Sequence, residues 1–166
     1  MIMQTAIHQF SIRFATPGDV PVILQLIREL AEYEKLLHLV VADEKLLEEW
    51  LFQKKVAEVT VGEVENTVIG FSLFFHNFST FLGKPGIYIE DIYVKKEYRH
   101  RGYGKSFFRF IARLAMDRGC GRIEWSVLDW NEPAIRFYQG LGAKPLHEWT
   151  VYRVTADGIK NLAEGI

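Results

Sequence analysis

The sequence predicts a single domain, residues 1–166, of the α/β class, in which helices pack against a mixed sheet. Its 166 residues, of which 49% are hydrophobic, suffice for one sizeable core and are too few for two. Strand alternation and helical periodicity both occur, in the order strand, two helices, three strands, helix, strand, helix, strand. This order indicates a mixed α/β layer, because regular βαβ repeats would alternate one strand with one helix.

The first part of the chain predicts a strand and two helices. Residues 11–15 alternate as a short strand, and Thr16-Pro17-Gly18-Asp19 then offers an N-cap, a first-turn proline and an acidic residue. The helix that follows carries apolar residues three and four positions apart, namely Val20, Ile23, Leu24, Ile27, Leu30 and Ala31. A second helix is predicted over residues 43–52.

The middle and end of the chain predict a hairpin followed by alternating helices and strands. Strands 56–64 and 68–75 flank the turn Glu65-Asn66, and a loop leads to a strand over 87–94. A helix begins near Gly104 and ends near Gly119, and a strand follows over 122–127. Asn131 caps a short helix with Pro133 in its first turn, and a last strand over 148–154 precedes a helical tail.

A turn rich in glycine and basic residues joins strand 87–94 to the next helix. It reads Arg99-His100-Arg101-Gly102-Tyr103-Gly104-Lys105-Ser106. The first turn of a helix has unpaired N–H groups and a partial positive charge, and glycine lets a phosphate approach the backbone closely. The segment therefore predicts a site for a pyrophosphate group. From this loop alone, a solvated basic turn with ordinary capping glycines is an equally good interpretation.

Two other phosphate motifs do not fit this turn. The Gly104-Lys105-Ser106 triplet ends like a nucleotide-binding P-loop, but that motif needs glycine where Arg99 stands. The dinucleotide-binding fingerprint needs a third glycine where Phe107 stands, and it opens a βαβ unit, whereas the strand here follows a hairpin.

The pattern Arg99-x-x-Gly102-x-Gly104 after a strand resembles the coenzyme A pyrophosphate loop of the GNAT superfamily of N-acetyltransferases. The element order is similar over nearly the whole chain. Within the superfamily the chain most resembles the diamine acetyltransferases, which act on spermidine and spermine or on thialysine. The motifs that carry this resemblance are Tyr33-Glu34, Glu90-Asp91, Asp129-Trp130-Asn131-Glu132-Pro133 and Phe137-Tyr138.

The resemblance implies a fold, a co-substrate and a set of cofactor contacts. The fold is a mostly antiparallel central sheet with helices on both faces, and the co-substrate is acetyl-CoA. The backbone groups of Ile92 and Val94 are expected to bind the pantetheine arm as an added strand would. The other expected cofactor residues are Tyr93, Arg99, His100, Arg101, Gly102, Tyr103, Gly104, Lys105, Asn131, Glu132, Pro133, Ala134 and Tyr138.

Two residues are expected to handle protons. A primary ammonium has a pKa of about 10.4 and attacks a thioester only after losing a proton, so Glu90 is the expected base, directly or through water. A carboxylate that only anchors a cationic substrate or pairs with arginine is the alternative for Glu90. Tyr138 matches the family tyrosine that faces the departing thiolate and is the expected acid. Without the resemblance, a core tyrosine with a satisfied hydroxyl is the better interpretation.

The expected substrate residues are Tyr33, Glu34, Glu90, Asp91 and Trp149. Polyamine-acting relatives carry an acid and a tryptophan where this chain has Ser79 and Phe81, so a distal acid is missing. This departure favours a thialysine-like or short diamine substrate over spermidine. Glu90 and Asp91 are adjacent on a strand and are expected to point to opposite faces, which argues against a glycosidase pair.

Composition excludes several other classes of function. The formal charge is −1, which gives no reason to expect binding to nucleic acid or to an anionic membrane. With a single cysteine, Cys120, and no secretory pattern or membrane-spanning run, we expect a cytoplasmic protein. The five histidines lack metal-ligand spacing, so no metal site is expected. An apolar C-terminal strand and the habit of the family predict a homodimer.

Three functions remain open from the sequence. The first is acetylation of a small amine, with direct transfer from acetyl-CoA. The second is acetylation of a peptide or protein on the same fold, which needs an open groove. The third is a catalytically silent domain that binds coenzyme A.

Overall fold

The computed structural model describes residues 2–4, 7 and 9–166. The chain forms two compact units, one extending to Ser126 and the other spanning Val127–Ile166. The first unit contains all six strands of a single sheet, whose spatial order follows the chain order β1 to β6. The strands are β1 (Ile2–Gln4), β2 (Phe10–Phe14), β3 (Glu58–Val64), β4 (Thr67–Ser79), β5 (Lys84–Val94) and β6 (Ile123–Trp125). Neighbouring strands are antiparallel except β5 and β6, which are parallel.

Helices cover both faces of this sheet, as expected for the fold class. On one face, α1 (Val20–Tyr33) places Ile23 and Leu26 against Val61, Phe71 and Tyr93 of the strands. The apolar spacing predicted for this helix is the reason for its buried stripe.

The opposite face is covered by α3 (Tyr103–Asp117). Phe107 lies 6.1 Å from Phe10 and Phe110 lies 5.7 Å from Phe14, measured between ring centroids. Gly62 of β3 is needed beneath this helix, because a Cβ there would lie 2.7 Å from Cζ of Phe107. The predicted class, a mostly antiparallel sheet between helices, is therefore confirmed.

The start of α1 is fixed to the sheet by a partly buried ion pair. A 3₁₀ turn (Pro17–Asp19) precedes the helix, and Oδ2 of Asp19 accepts the N–H of Thr16 at 2.7 Å. Arg13 of β2 donates two hydrogen bonds of 2.8 Å to the same carboxylate. Its guanidinium is the main cause that lowers the pKa of Asp19 to about 2. The predicted capping segment is thus confirmed.

Three predictions about elements need correction. The sequence interpretation missed β1, which pairs with β2. The second helix begins as α2 (Glu44–Leu47) but continues as a π-helix (Glu48–Gln53). The predicted last strand over 148–154 was wrong: these residues have no regular secondary structure, and Trp149, Val151 and Tyr152 are exposed. Alternation of apolar and polar residues leads to a strand only where the edge of a sheet can pair with the segment. None of the described strands pairs with residues 148–154.

The second unit contains two helices, α4 (Glu132–Gly140) and α5 (Ala156–Glu164). The predicted cap and first-turn proline of α4 are confirmed at Asn131 and Pro133. None of the helices in the described part of the chain is both long enough and apolar enough to cross a membrane.

Candidate active site

The pairing of β5 with β6 ends early and leaves an open sheet edge. Only Ile87 to Ile89 pair with Ile123 to Trp125, whereas β5 continues to Val94. No strand among the described residues pairs with the rest of β5 on this side. The sheet therefore has a gap, about five residues long, beside the second half of β5.

The hydrogen-bond alternation of β5 identifies the backbone groups that face this gap. The N–H of Lys95 donates to the carbonyl of Ile69 at 2.9 Å, so the odd-numbered residues Asp91 and Tyr93 bond to β4 as well. Ile92 and Val94 direct their N–H and C=O groups the other way, toward the open edge. These are the two residues whose backbone is expected to hold the pantetheine arm.

A β-bulge lies at Glu90, at the beginning of the open edge. Leu73 of β4 pairs with Asp91, and the next residue, Phe74, pairs with Ile89, so Glu90 is the extra residue. A bulge interrupts the strict alternation on which the expectation of opposite faces for Glu90 and Asp91 depends. Bulges of this kind re-aim side chains and occur often next to active sites.

The bulge and the end of α1 bring three carboxylates together. Glu90 is exposed, whereas Asp91 is partly buried. Burial, and then the negative charges of Glu90 and Glu34, raise the pKa of Asp91 to about 6. Burial also raises the pKa of Glu34, which follows the last residue of α1. Glu34 and Glu90, two of the predicted substrate residues, thus both lie within electrostatic reach of a third, Asp91.

The glycine-bearing turn after β5 opens α3 as predicted. A 3₁₀ turn (Lys96–Tyr98) follows the strand, and His100 and Gly102 take positive φ values of 63° and 85°. Gly102 is the N-cap of α3, and among the described residues no side chain caps this helix end. The N–H of Ser106 bonds to the carbonyl of Gly102 at 3.1 Å, so the N–H groups before it have no place in the helix ladder.

Side chains around this turn divide into buried and exposed groups. Tyr103 is buried, with its ring centroid 4.5 Å from that of Phe10, so only its backbone is offered to a ligand. Arg101 and Lys105 are exposed. The turn therefore combines N–H groups that lie outside the helix ladder with two exposed cations, a combination that suits a diphosphate.

Arg99 is directed differently from the other basic residues of the turn. Its Nε donates to the carbonyl of Val94 at 3.0 Å, and its Cζ lies 4.6 Å from the ring centroid of Tyr33. The same Cζ atom lies 5.3 Å from the ring centroid of Tyr93. The guanidinium is thus attached to the end of α1 and to the end of β5.

The predicted residues of the second unit lie on or next to α4. The amide oxygen of Asn131 accepts the N–H of Ala134 at 3.4 Å, and Glu132 and Pro133 form the first turn. Tyr138 is partly buried, and its ring lies 5.6 Å from that of Phe137. Trp149 lies in the irregular segment after α4 and is 68% exposed.

Two features of this site were missed in the sequence. The bulge at Glu90 becomes visible only in the pairing register of β4 with β5, and the sequence offers no signal for it. The contact of Arg99 with Tyr33 joins residues far apart in the chain, whereas Tyr93 lies six positions before Arg99. Two tyrosines on predicted elements were the only available hint.

No group of three or more His, Cys, Asp or Glu side chains within the described ranges is arranged to hold a metal ion. His8, one of the five histidines considered above, lies outside those ranges.

Comparison with known proteins identifies the family to which this chain belongs. The family model described as Acetyltransferase (GNAT) family matches residues 23–143. The chain therefore belongs to the GNAT family of acetyltransferases, and it is an acetyltransferase enzyme. Acetyl-CoA is the co-substrate used by this family.

Two similar proteins and one solved structure are compared with this chain. The chain is 41% identical to the thialysine N-epsilon-acetyltransferase of Bos taurus, covering 92% of this chain and 96% of that protein. It is 36% identical to an L-ornithine N5-acetyltransferase of Arabidopsis thaliana, covering 90% and 86% respectively. Among solved structures, an aminoglycoside acetyltransferase from a soil metagenomic sample aligns with a TM-score of 0.76 at 20% identity, covering 92% of this chain and 99% of that one. The last similarity supports the fold alone.

Proposed function

We propose that this enzyme transfers the acetyl group of acetyl-CoA to a primary amine of a small thialysine-like, ornithine-like or short diamine substrate. The observation that carries the proposal is the cluster of Glu34, Glu90 and Asp91 beside the open edge of β5. Three carboxylates attract an ammonium group, and the edge and the turn after it suit a long ligand with a diphosphate. The relatives named for thialysine and ornithine support the same class of substrate.

The proposed mechanism is direct transfer without an acetylated enzyme. The substrate ammonium gives a proton to Glu90, directly or through a water, and its nitrogen then forms the new bond to the acetyl carbonyl carbon. The carbon–sulfur bond breaks, and the sulfur keeps the electron pair. Tyr138 supplies the proton that converts the leaving thiolate to a thiol. As the amide forms, the nitrogen loses a second proton, which replaces the one that Tyr138 gave to the sulfur, while the proton taken by Glu90 leaves to solvent. Each turnover therefore releases one proton, and both residues return to their starting states.

We assign the cofactor contacts in three groups. The edge residues Ile92 and Val94 use their backbone for the pantetheine arm, with Tyr93 between them. The turn residues His100, Arg101, Gly102, Tyr103, Gly104 and Lys105 bind the diphosphate. Asn131, Glu132, Pro133 and Ala134 at the start of α4 complete the set.

The substrate preference rests on the loop between β4 and β5. Ser79 is buried, and its Oγ accepts the N–H of Leu82 at 3.2 Å, so its hydroxyl is used within its own turn. Phe81 is 94% exposed and carries no charge. No carboxylate stands at either position to bind the distal amine of a polyamine. We therefore propose an acceptor shorter than spermidine, bound through Tyr33, Glu34, Asp91 and Trp149.

An amine panel tests this function. Thialysine, ornithine, lysine, putrescine, spermidine and a lysine-containing peptide are offered with acetyl-CoA, and thiol release is measured. Turnover of thialysine, ornithine or putrescine with a higher kcat/KM than spermidine supports the proposal. Turnover of the peptide alone supports a protein acetyltransferase. Thermal stabilisation by coenzyme A without any turnover identifies a silent binding domain.

We also propose that the chain acts as one catalytic domain and that it forms a homodimer. The second unit exposes a group of large apolar side chains, Leu146, Trp149, Val151, Tyr152, Val154, Ile159, Leu162 and Ile166. Exposed apolar side chains in such number support an association site when they lie together. Sedimentation velocity should give the mass of two chains, and a single-chain mass at micromolar concentration would disprove the dimer.

A further inference from the structure

Arg99 of the glycine-bearing turn is held by three partners in the first unit. Its Nε donates to the carbonyl oxygen of Val94 at 3.0 Å, and its charge lies 4.6 Å from the Tyr33 ring and 5.3 Å from the Tyr93 ring. Both ring distances fall within the roughly 6 Å over which a cation is attracted to an aromatic face. Tyr93 is only 8% exposed, so one side of the guanidinium rests on the core.

The same network continues along α1. The hydroxyl of Tyr93 is influenced by Glu29, whose charge adds to burial in raising its pKa, and by Arg99, which opposes both. Nζ of Lys95 lies 3.7 Å from Oε1 of Glu29. Helix α1 and the end of β5 are therefore joined through charged and aromatic side chains, with Arg99 as the member that also bonds the strand backbone.

These contacts give Arg99 a direction that differs from that of a diphosphate ligand. An arginine that grips phosphate offers its planar fork of N–H groups to the oxygens. Here the Nε donor is used by Val94, and the partly buried guanidinium lies by two tyrosines. Arg101 and Lys105 are exposed on the turn itself, although Cζ of Arg101 lies 5.8 Å from the Tyr98 ring. The charge of Arg99 is thus directed to the side of α1 that carries the proposed amine-binding residues.

We propose that Arg99 is a positioning residue that fixes the Tyr33–Glu34 end of α1 to the open end of β5, and that it is not a ligand of the diphosphate. The inference rests on the proposed function, because Tyr33 and Glu34 belong to the amine side and Val94 to the cofactor side. Loss of Arg99 then disturbs both sides, through Tyr33 and through the Val94 carbonyl.

Two acyl donors distinguish positioning from diphosphate binding. Acetyl-CoA carries the diphosphate and S-acetylpantetheine lacks it, so a diphosphate ligand affects only the first. For Arg99→Gln we expect the KM of the amine to rise about three- to tenfold, and kcat/KM to fall by the same factor with both donors. Arg99→Lys, which keeps the charge but loses the planar Nε donor, should lie between wild type and Arg99→Gln.

The matched control is Arg101→Gln in the same turn. We expect it to lower kcat/KM with acetyl-CoA and to leave kcat/KM with S-acetylpantetheine near the wild-type value. If Arg99→Gln shows this same selective loss, or leaves the amine KM unchanged, the positioning role is overturned.

A measurement without ligand separates this inference from the proposed function. In a double-mutant cycle of Arg99→Gln and Tyr33→Leu, urea unfolding should show a coupling of about two- to fivefold in the unfolding constant. The cycle of Arg101→Gln with Tyr33→Leu should be additive. If the effects of Arg99→Gln and Tyr33→Leu on the unfolding constant are additive, the contact between the two side chains does not contribute and the positioning role is overturned. If the wild-type protein does not turn over acetyl-CoA, only the proposed function is overturned.

Discussion

Asp91 pairs with Leu73 across β4 and β5, whereas the next residue of β4, Phe74, pairs with Ile89. The residue left over is Glu90, the proposed base, and it stands where β5 loses its second neighbour. At such a bulge the direction of a side chain departs from the regular alternation of the strand, although its backbone remains part of the sheet. The proposed base therefore lies at the point of β5 where the open edge begins.

Glu90→Gln should remove the proton acceptor while keeping size and hydrogen bonding. We expect kcat/KM for the amine to fall by about 10²- to 10⁴-fold, and the alkaline rise of the rate to shift to higher pH, because only amine that is already neutral then reacts. Steady-state rates between pH 6 and 10 measure this. Glu65→Gln in the exposed β3–β4 turn is the control. A variant with the pH profile of the wild type would exclude Glu90 as base.

Tyr138→Phe should lower kcat with little change in the Kd of acetyl-CoA, because only the hydroxyl that protonates the thiolate is lost. Since a thiolate of pKa about 8.5 also leaves without help, we expect a loss of about tenfold. Single-turnover rates and calorimetric titration give the two quantities. Tyr152→Phe, at a 90% exposed position in the same unit, should behave as wild type. An unaltered rate in Tyr138→Phe would remove it from the acid role.

Gly104→Asp should weaken acetyl-CoA binding strongly, by at least about tenfold. A side chain crowds the backbone that the diphosphate approaches, and a negative charge at the first turn of α3 repels it. Calorimetry with acetyl-CoA and with free coenzyme A measures the effect. Gly18→Asp introduces the same charge at another helix start, where an added Cβ meets only Oγ1 of Thr16 at 3.7 Å. Normal binding by Gly104→Asp would refute the assignment of the turn.

Asp91→Asn should stabilise the fold at neutral pH. Folding raises the pKa of Asp91 from 3.8 to about 6, so its charged form is disfavoured in the native state. The stability associated with neutral Asp91 is present below about pH 4 and is lost as pH rises through about 6. We expect the variant to gain about 1–3 kcal/mol at pH 7.5 and almost nothing at pH 3.5. Urea unfolding at the two pH values measures this, and equal effects at both would contradict the raised pKa.

The same ionisation should govern affinity for the amine. Above about pH 6 Asp91 is charged and attracts the ammonium, and below it the carboxyl is neutral. We therefore expect the KM of the amine in the wild type to rise as pH falls from 7 to 5. In Asp91→Asn the KM should be higher at pH 7 and less dependent on pH in this range. A KM that falls on acidification would exclude Asp91 from the substrate site.

Local patterns were sufficient for much of the fold. The stripe from Val20 to Ala31 and the turn Glu65-Asn66 each depend on neighbours in sequence, and the structure has them where they were predicted. The segment over 148–154 failed, because alternation describes one strand and says nothing about whether an edge is free to receive it. The β1 strand was missed since three residues are too few to show alternation.

The candidate site was predictable in its parts and unpredictable in its arrangement. The start of α3 could be predicted near Gly104, one residue after the observed start at Tyr103, because a helix N-terminus with glycine is a local signal. The shared environment of Glu34 and Asp91 depends on how α1 ends over β5, which is tertiary packing. The direction of Arg99 likewise depends on Tyr33, a residue distant in the chain.

The short parallel pairing of β5 with β6 has a consequence for the handling of the protein. A sheet edge with unused amides is a template for any extended peptide, including another molecule of the same chain. Under the proposed function, coenzyme A occupies this edge and blocks that route. Storage with coenzyme A should therefore suppress aggregation and slow hydrogen–deuterium exchange at the amides of Ile92 and Val94.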